Sequence, residues 1–159
     1  MSGTDYDAFR FHPEDKKPRE KLYGTEVVDD DESIRTVLEF NLREIGLEVL
    51  SVENAEQAWR IFKNDPSDLV ITDVRMDGMS GLDLLSTVRH FDPGALVIVM
   101  TAYGSVQQAV EAMKKGAYDY LTKPFDRDSL RLTVRKAVEF AVMRRENTRL
   151  RREISGRFT

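Results

Sequence analysis

Residues 68–73 read "DLVITD" and residues 81–91 read "GLDLLSTVRHF". The first run is apolar without alternation, which is how a strand buried on both faces of a sheet reads. The second has helical period, so the pair predicts a strand followed by a helix. The same pairing recurs in both directions: "TEVV" then "ESIRTVLEFNLREIG", and "LEVLSV" then "NAEQAWRIFKN". It continues with "ALVIVMT" then "GSVQQAVEAMKKG", and "AYDYLTK" then "DRDSLRLTVRKAVEFAVMRRENTRLRRE". Five strand–helix repeats predict an α/β domain whose mostly parallel sheet carries helices on both faces. Asn54 is placed to cap the second helix, and Gly46 and Gly116 to close the first and fourth. Thr25 and Glu26 stand where further aliphatic residues are expected, so the first strand is expected to be frayed or exposed at its start.

Composition narrows the chemistry. The chain has 159 residues, 41% hydrophobic and 33% charged, enough for one domain with a core. A net charge of −4 argues against the domain gripping nucleic acid. There is no cysteine, and the two histidines, His12 and His90, lie far apart, so a divalent ion would be a hard one held by oxygen. No apolar stretch is long enough to span a membrane, and no secretory signal is present, which reads as cytoplasmic. Residues 1–22 are charged, interrupted by Pro13 and Pro18, and aperiodic, the composition of a disordered or loosely attached leader.

In such a sheet, ligands bind outside the carboxyl ends of the strands, beside the topological switch point. The residues expected there are Asp29, Asp30 and Asp31 after the first strand, Asp73 after the third, Thr101 after the fourth and Lys123 after the fifth. Any one of these aspartates, taken alone, reads first as the N-cap of the next helix. Jointly they converge on one edge, where clustered acids repel unless a cation such as Mg²⁺ offsets them. Thr101 and Lys123 beside that ion suit the oxygens of a phosphoryl group.

The segments "VVDDDESIR", "LVITDVRMDGMSGLDLL", "VIVMTAYGS" and "GAYDYLTKPF", in that order and spacing, resemble the receiver domain of bacterial two-component response regulators. The resemblance covers roughly Gly24 to Glu139 and implies a doubly wound, flavodoxin-like five-stranded parallel sheet of order 2-1-3-4-5 within a receiver spanning residues 23–139. It implies that Asp73 is the phosphoacceptor, receiving a phosphoryl group from a phosphohistidine of a sensor histidine kinase. Asp30 is implied to hold Mg²⁺ directly, Asp29 through water, and the backbone carbonyl of Arg75 to be a further ligand beside Asp73. Thr101 and Lys123 are implied to contact the phosphoryl group, and Thr101 and Tyr120 to move together as the switch. Pro124 sits where the family has a cis peptide bond. The domain so read is not an enzyme toward other substrates; it catalyses only its own phosphorylation and dephosphorylation.

Asp31 is expected at the first helix's N-terminus, where the macrodipole favours an anion. Two departures from the family stand out. Met76-Asp77-Gly78 replaces the common Met-Pro-Gly, freeing backbone and adding a carboxylate, which is expected to alter phosphorylation kinetics. The other is the polar first strand. Arg75 and Tyr103 flank the expected path of attacking water, so a long-lived phosphoaspartate is expected.

The last helix carries two stripes. Leu130, Val134, Ala137, Val138 and Ala141 are placed to cover the sheet. Phe140, Met143, Asn147, Leu150 and Ile154 follow 3-4-3-4 spacing, the seam of a coiled coil, giving a linker helix over 140–159 that is able to form a homodimer. A single solvated helix remains the alternative. Glutamates interleave with Arg144, Arg145, Arg149, Arg151 and Arg152, against a nucleic-acid surface. "RRENTRLRREISGRFT" also resembles the linker after the receiver in sigma-54-dependent transcription activators, although neither a phosphate-binding GxxxxGK loop nor a helix-turn-helix lies in this chain. The leading reading is the receiver of such a regulator, its ATPase and DNA-binding domains absent from this chain. The alternative is a stand-alone phosphorelay or adaptor protein. A Mg²⁺-dependent phosphohydrolase would need an acid two residues after Asp73, where Arg75 stands.

Overall fold

The computed structural model describes residues 24–157; the leader expected over residues 1–22 lies outside them. Ten elements alternate: β1 (Gly24–Val28), α1 (Glu32–Glu44), β2 (Glu48–Val52), α2 (Ala55–Asn64), β3 (Leu69–Asp73), α3 (Gly81–Phe91), β4 (Leu96–Thr101), α4 (Val106–Lys114), β5 (Asp119–Thr122) and α5 (Arg127–Arg157). All strands pair in parallel, in the order β2-β1-β3-β4-β5. The repeats predict the parallel sheet, and the order is the doubly wound one implied by the receiver resemblance.

The non-alternating strands split residue by residue between two cores. Val27, Ile71 and Ile98 face Leu38 and Leu42 of α1 and Leu130 and Val134 of α5. Their chain neighbours Val28, Val70 and Val97 face Ala58 and Phe62 of α2, Leu84 and Leu85 of α3, and Ala112 of α4. Both faces of the central strands are thus dry, and alternation has nothing to mark.

The expectation of a frayed β1 is wrong. All five residues of β1 are buried, with Thr25 at 3% and Glu26 at 2% exposure. The cause is position: β1 lies between β2 and β3, so its backbone pairs on both sides. Its first residue is also anchored, since Gly24 N–H donates to Asp68 Oδ2 at 3.2 Å and Asp68 N–H donates to the Gly24 carbonyl at 3.0 Å.

Caps fall as read. Asp31 accepts the N–H groups of Ser33 and Ile34 at the start of α1, and Asn54 accepts that of Gln57 in α2. Gly46 and Gly116 follow α1 and α4 with φ of 93° and 98°. Leu130, Val134, Ala137 and Val138 of α5 are buried against the sheet with Ala141 packed beside them. Further along, Arg144 donates to the Gly94 carbonyl and Arg145 pairs with Asp68 at 2.5 Å, clasping the helix to two loops at the opposite end of the sheet from the carboxylates. Among the described residues, no helix is long and apolar enough to cross a membrane.

Candidate functional site

The chain diverges on either side of β1, toward β2 one way and β3 the other, so the crevice lies beyond the carboxyl ends of β1 and β3. Val28 pairs with Thr72, which sets Asp29 and Asp73 at the next rung of the same ladder. Thr101 pairs with Thr122, so Lys123 leaves β5 one residue beyond it. Register alone therefore brings the expected residues to one edge.

One carboxylate oxygen from each of Asp29, Asp30 and Asp73 lies within 4.8 Å of the others. Asp29 is fully buried, Asp73 partly, and Asp30 is exposed. Lys123 Nζ donates to Asp29 Oδ2 at 2.7 Å and stands 3.3 Å from Asp73 Oδ2. A single ammonium thus pairs with two of the three carboxylates, and its shorter bond goes to Asp29. Burial pushes the Asp73 carboxyl above its ordinary 3.8, the charge of Asp29 adds to this, and Lys123 offsets only part of it. For Lys123, burial pulls the ammonium down, but the hydrogen bond to Asp29 and the charges of Asp73 and Asp29 outweigh it, leaving the group above its ordinary 10.5. Hard oxygen donors carrying excess negative charge fit a small divalent cation such as Mg²⁺.

The remaining expected residues lie on the neighbouring strands, the loops and α5. Thr101 is buried, with its hydroxyl 3.4 Å from the Leu121 carbonyl. The Lys123–Pro124 peptide is cis. Tyr120 points outward at 42% exposure and lines a groove of about 550 Å³ with Val106, Val110 and Met113. Arg75 and Tyr103 are exposed. The seam residues Met143, Asn147, Leu150 and Ile154 are exposed on α5, while the ring of Phe140 packs 5.5 Å from that of Tyr118.

Three supporting contacts escaped the sequence reading. Arg35 Nη1 donates to the Asp29 carbonyl at 2.6 Å, holding the end of β1. Gln108 Oε1 accepts the Ala102 N–H at 2.8 Å, tying the residue after Thr101 to the first turn of α4. Glu56 Oε2 accepts the Met79 N–H at 3.2 Å, reaching from α2 to the loop after Asp73. Arg35 had a signal, a cation within the quoted acidic stretch; the other two depend on which helix ends the fold makes neighbours.

A family model described as the response regulator receiver domain matches residues 26–135. The chain belongs to that family. The transcriptional regulatory protein ZraR of Klebsiella oxytoca is 46% identical over 112 residues, 70% of this chain and 25% of ZraR. The regulatory protein AtoC of Escherichia coli K12 is 36% identical over 129 residues, 81% of this chain and 28% of AtoC. This receiver therefore spans about a quarter of the length of the curated relatives it matches. A crystal structure of NtrX from Brucella abortus superposes with a TM-score of 0.75 at 31% identity, covering 80% of this chain and 29% of that one. A receiver domain protein from Clostridium thermocellum superposes at 0.71 with 33% identity, covering 76% of this chain and 97% of that one.

Proposed function

We propose that this receiver accepts a phosphoryl group on Asp73 from the phosphohistidine of a sensor histidine kinase, and that the transfer switches a sigma-54-dependent transcription activator in the cytoplasm. The observation that carries the proposal is Lys123 bridging Asp29 and Asp73 at 2.7 and 3.3 Å inside a cluster of three carboxylates. Mg²⁺, held by Asp30, Asp73, the Arg75 carbonyl and, through water, Asp29, would supply positive charge for the phosphoryl oxygens. Each protein group has a task in the transfer. An Asp73 carboxylate oxygen attacks phosphorus and the O–P bond forms as the N–P bond to the donor imidazole breaks; that imidazole, already protonated on its other ring nitrogen, leaves neutral with the electron pair of the broken bond. Lys123 keeps its charge because Asp29 holds it, so it stands ready to pair with an equatorial oxygen. Burial and the charge of Asp29 hold the Asp73 carboxyl above its ordinary 3.8, which makes its carboxylate a better nucleophile than an exposed aspartate. Hydrolysis of the acyl phosphate by water returns the carboxylate and releases inorganic phosphate.

On this reading Thr101 turns from the Leu121 carbonyl toward the phosphoryl oxygen, and Tyr120 fills the space it leaves, altering the groove along α4 and β5. A homodimer through the seam of α5 is supported by exposure: Met143 is 70%, Leu150 44% and Ile154 53% exposed. The test is incubation with acetyl phosphate and Mg²⁺, read by intact mass. One phosphoryl group on wild type and none on Asp73→Asn is expected; an unmodified wild type at saturating Mg²⁺ rejects the proposal. Sedimentation with and without beryllofluoride then reports whether the phosphoryl mimic changes the dimer.

A further inference from the structure

The loop leaving β3 has a conspicuous neighbour. Residues 75–78 hang between Val74, whose N–H donates to the Met100 carbonyl at 3.3 Å, and Met79, whose N–H donates to Glu56 Oε2 at 3.2 Å. Glu56 belongs to the first turn of α2, where an acid ordinarily only favours the helix dipole. Here it reaches out of its helix. Its carboxylate also fills the space beside Gly78: a Cβ at that position would lie 2.5 Å from Oε2, and the φ of +80° there suits glycine. From below, Met76 and Met79 pack with Trp59 against the α2–α3 core. Beyond Met79 the chain is tight again, since the Gly81 N–H donates to the Val74 carbonyl at 2.8 Å, and a Cβ on Gly81 would strike the Asp73 carbonyl. Glu56 also lines one depression of about 420 Å³ with Asp30 and Asp77.

We infer that Glu56 is a positioning residue for the loop 75–79, and through it for the Arg75 carbonyl that the phosphoacceptor reading assigns to the cation. This rests on the phosphoacceptor reading above and assigns it a further residue. Glu56 is exposed, outside the group of three carboxylates that converge, so its effect passes through Met79 and Gly78 rather than through direct ligation. Asp77 leaves that stretch without a ring to stiffen it, and the carboxylate of Glu56 supplies the constraint from outside.

The experiment compares wild type, Glu56→Gln, which keeps an acceptor oxygen but no charge, and Glu56→Ala, which keeps neither. Amide hydrogen exchange of Met79 is measured on the metal-free full chain, and Mg²⁺ affinity by calorimetry. Glu56→Ala is expected to speed exchange at Met79 and to weaken Mg²⁺ binding about tenfold, the size of loss seen when partners behind metal ligands are removed. Glu56→Gln is expected to stay near wild type in both. Unchanged Met79 exchange in Glu56→Ala overturns the inference; so does a Glu56→Gln variant as weak for Mg²⁺ as Glu56→Ala, which would make charge the cause. A wild type that binds no Mg²⁺ rejects the phosphoacceptor reading instead, while exchange at Met79 still decides the role of Glu56 in the loop.

Discussion

Asp73 carries its charge at a cost. Burial first, and Asp29 second, raise its carboxyl above the ordinary 3.8. A carboxyl whose pKa is higher folded than unfolded binds protons more tightly when folded, so stability falls as pH rises through that interval. Asp73→Asn removes this loss. The metal-free variant should match wild type near pH 3, then gain on it up to neutral pH (both bounds approximate). Urea unfolding across that range reads the gap, and saturating Mg²⁺ should narrow it. Lys123 has the opposite sign of effect: its raised pKa adds stability that is complete below 10.5 and fades as pH climbs through the higher folded value. Lys123→Met leaves the buried Asp29 carboxylate without its 2.7 Å partner. Stranding one member of a buried pair predicts a loss of about 3 kcal/mol in chemical denaturation, partly restored by Mg²⁺.

Among the elements, α5 has two faces with different fates. Leu130 is fully buried between the sheet and α1, so Leu130→Ala should cost about 3 kcal/mol by thermal or urea unfolding. Leu150→Asp, on the exposed seam, should leave the unfolding of the isolated receiver within about 0.5 kcal/mol while weakening any dimer seen by sedimentation. The strands show what a sequence reveals and what it hides. β3 and β4 were legible because burial on both faces imposes an unbroken apolar run. β1 was misjudged because Thr25 and Glu26 look solvent-facing locally, whereas their burial follows from pairing with β2 and β3. The convergence of Asp29, Asp73, Thr101 and Lys123 on one edge was legible for a related reason: each directly follows or ends a strand, and strand ends share an edge. Glu56 and Gln108 sit inside helices, and no spacing announces which loop a helix's first turn will meet.

Over the whole molecule, the cluster of like charges is a weakness that a bound ion turns into an advantage. Ligand that binds only the folded state stabilises it by mass action, about 2.7 kcal/mol at a hundredfold excess over its dissociation constant. Mg²⁺ should therefore raise the melting temperature of wild type, and Asp30→Asn should blunt the rise without lowering the metal-free value, since Asp30 is exposed and adds repulsion. Calorimetric melting with Mg²⁺ or with chelator checks both halves.

The clasp of Arg144 and Arg145 marks the last place where α5 touches the body of the domain in these contacts. From there to Arg157 the helix projects roughly 18 Å at 1.5 Å per residue. A free rod of that length is a lever. Rocking α5 on the sheet by about 10° would sweep its tip sideways through some 3 Å over that length. A modest repacking of α5 on the sheet would thus arrive at the far tip as a sideways displacement.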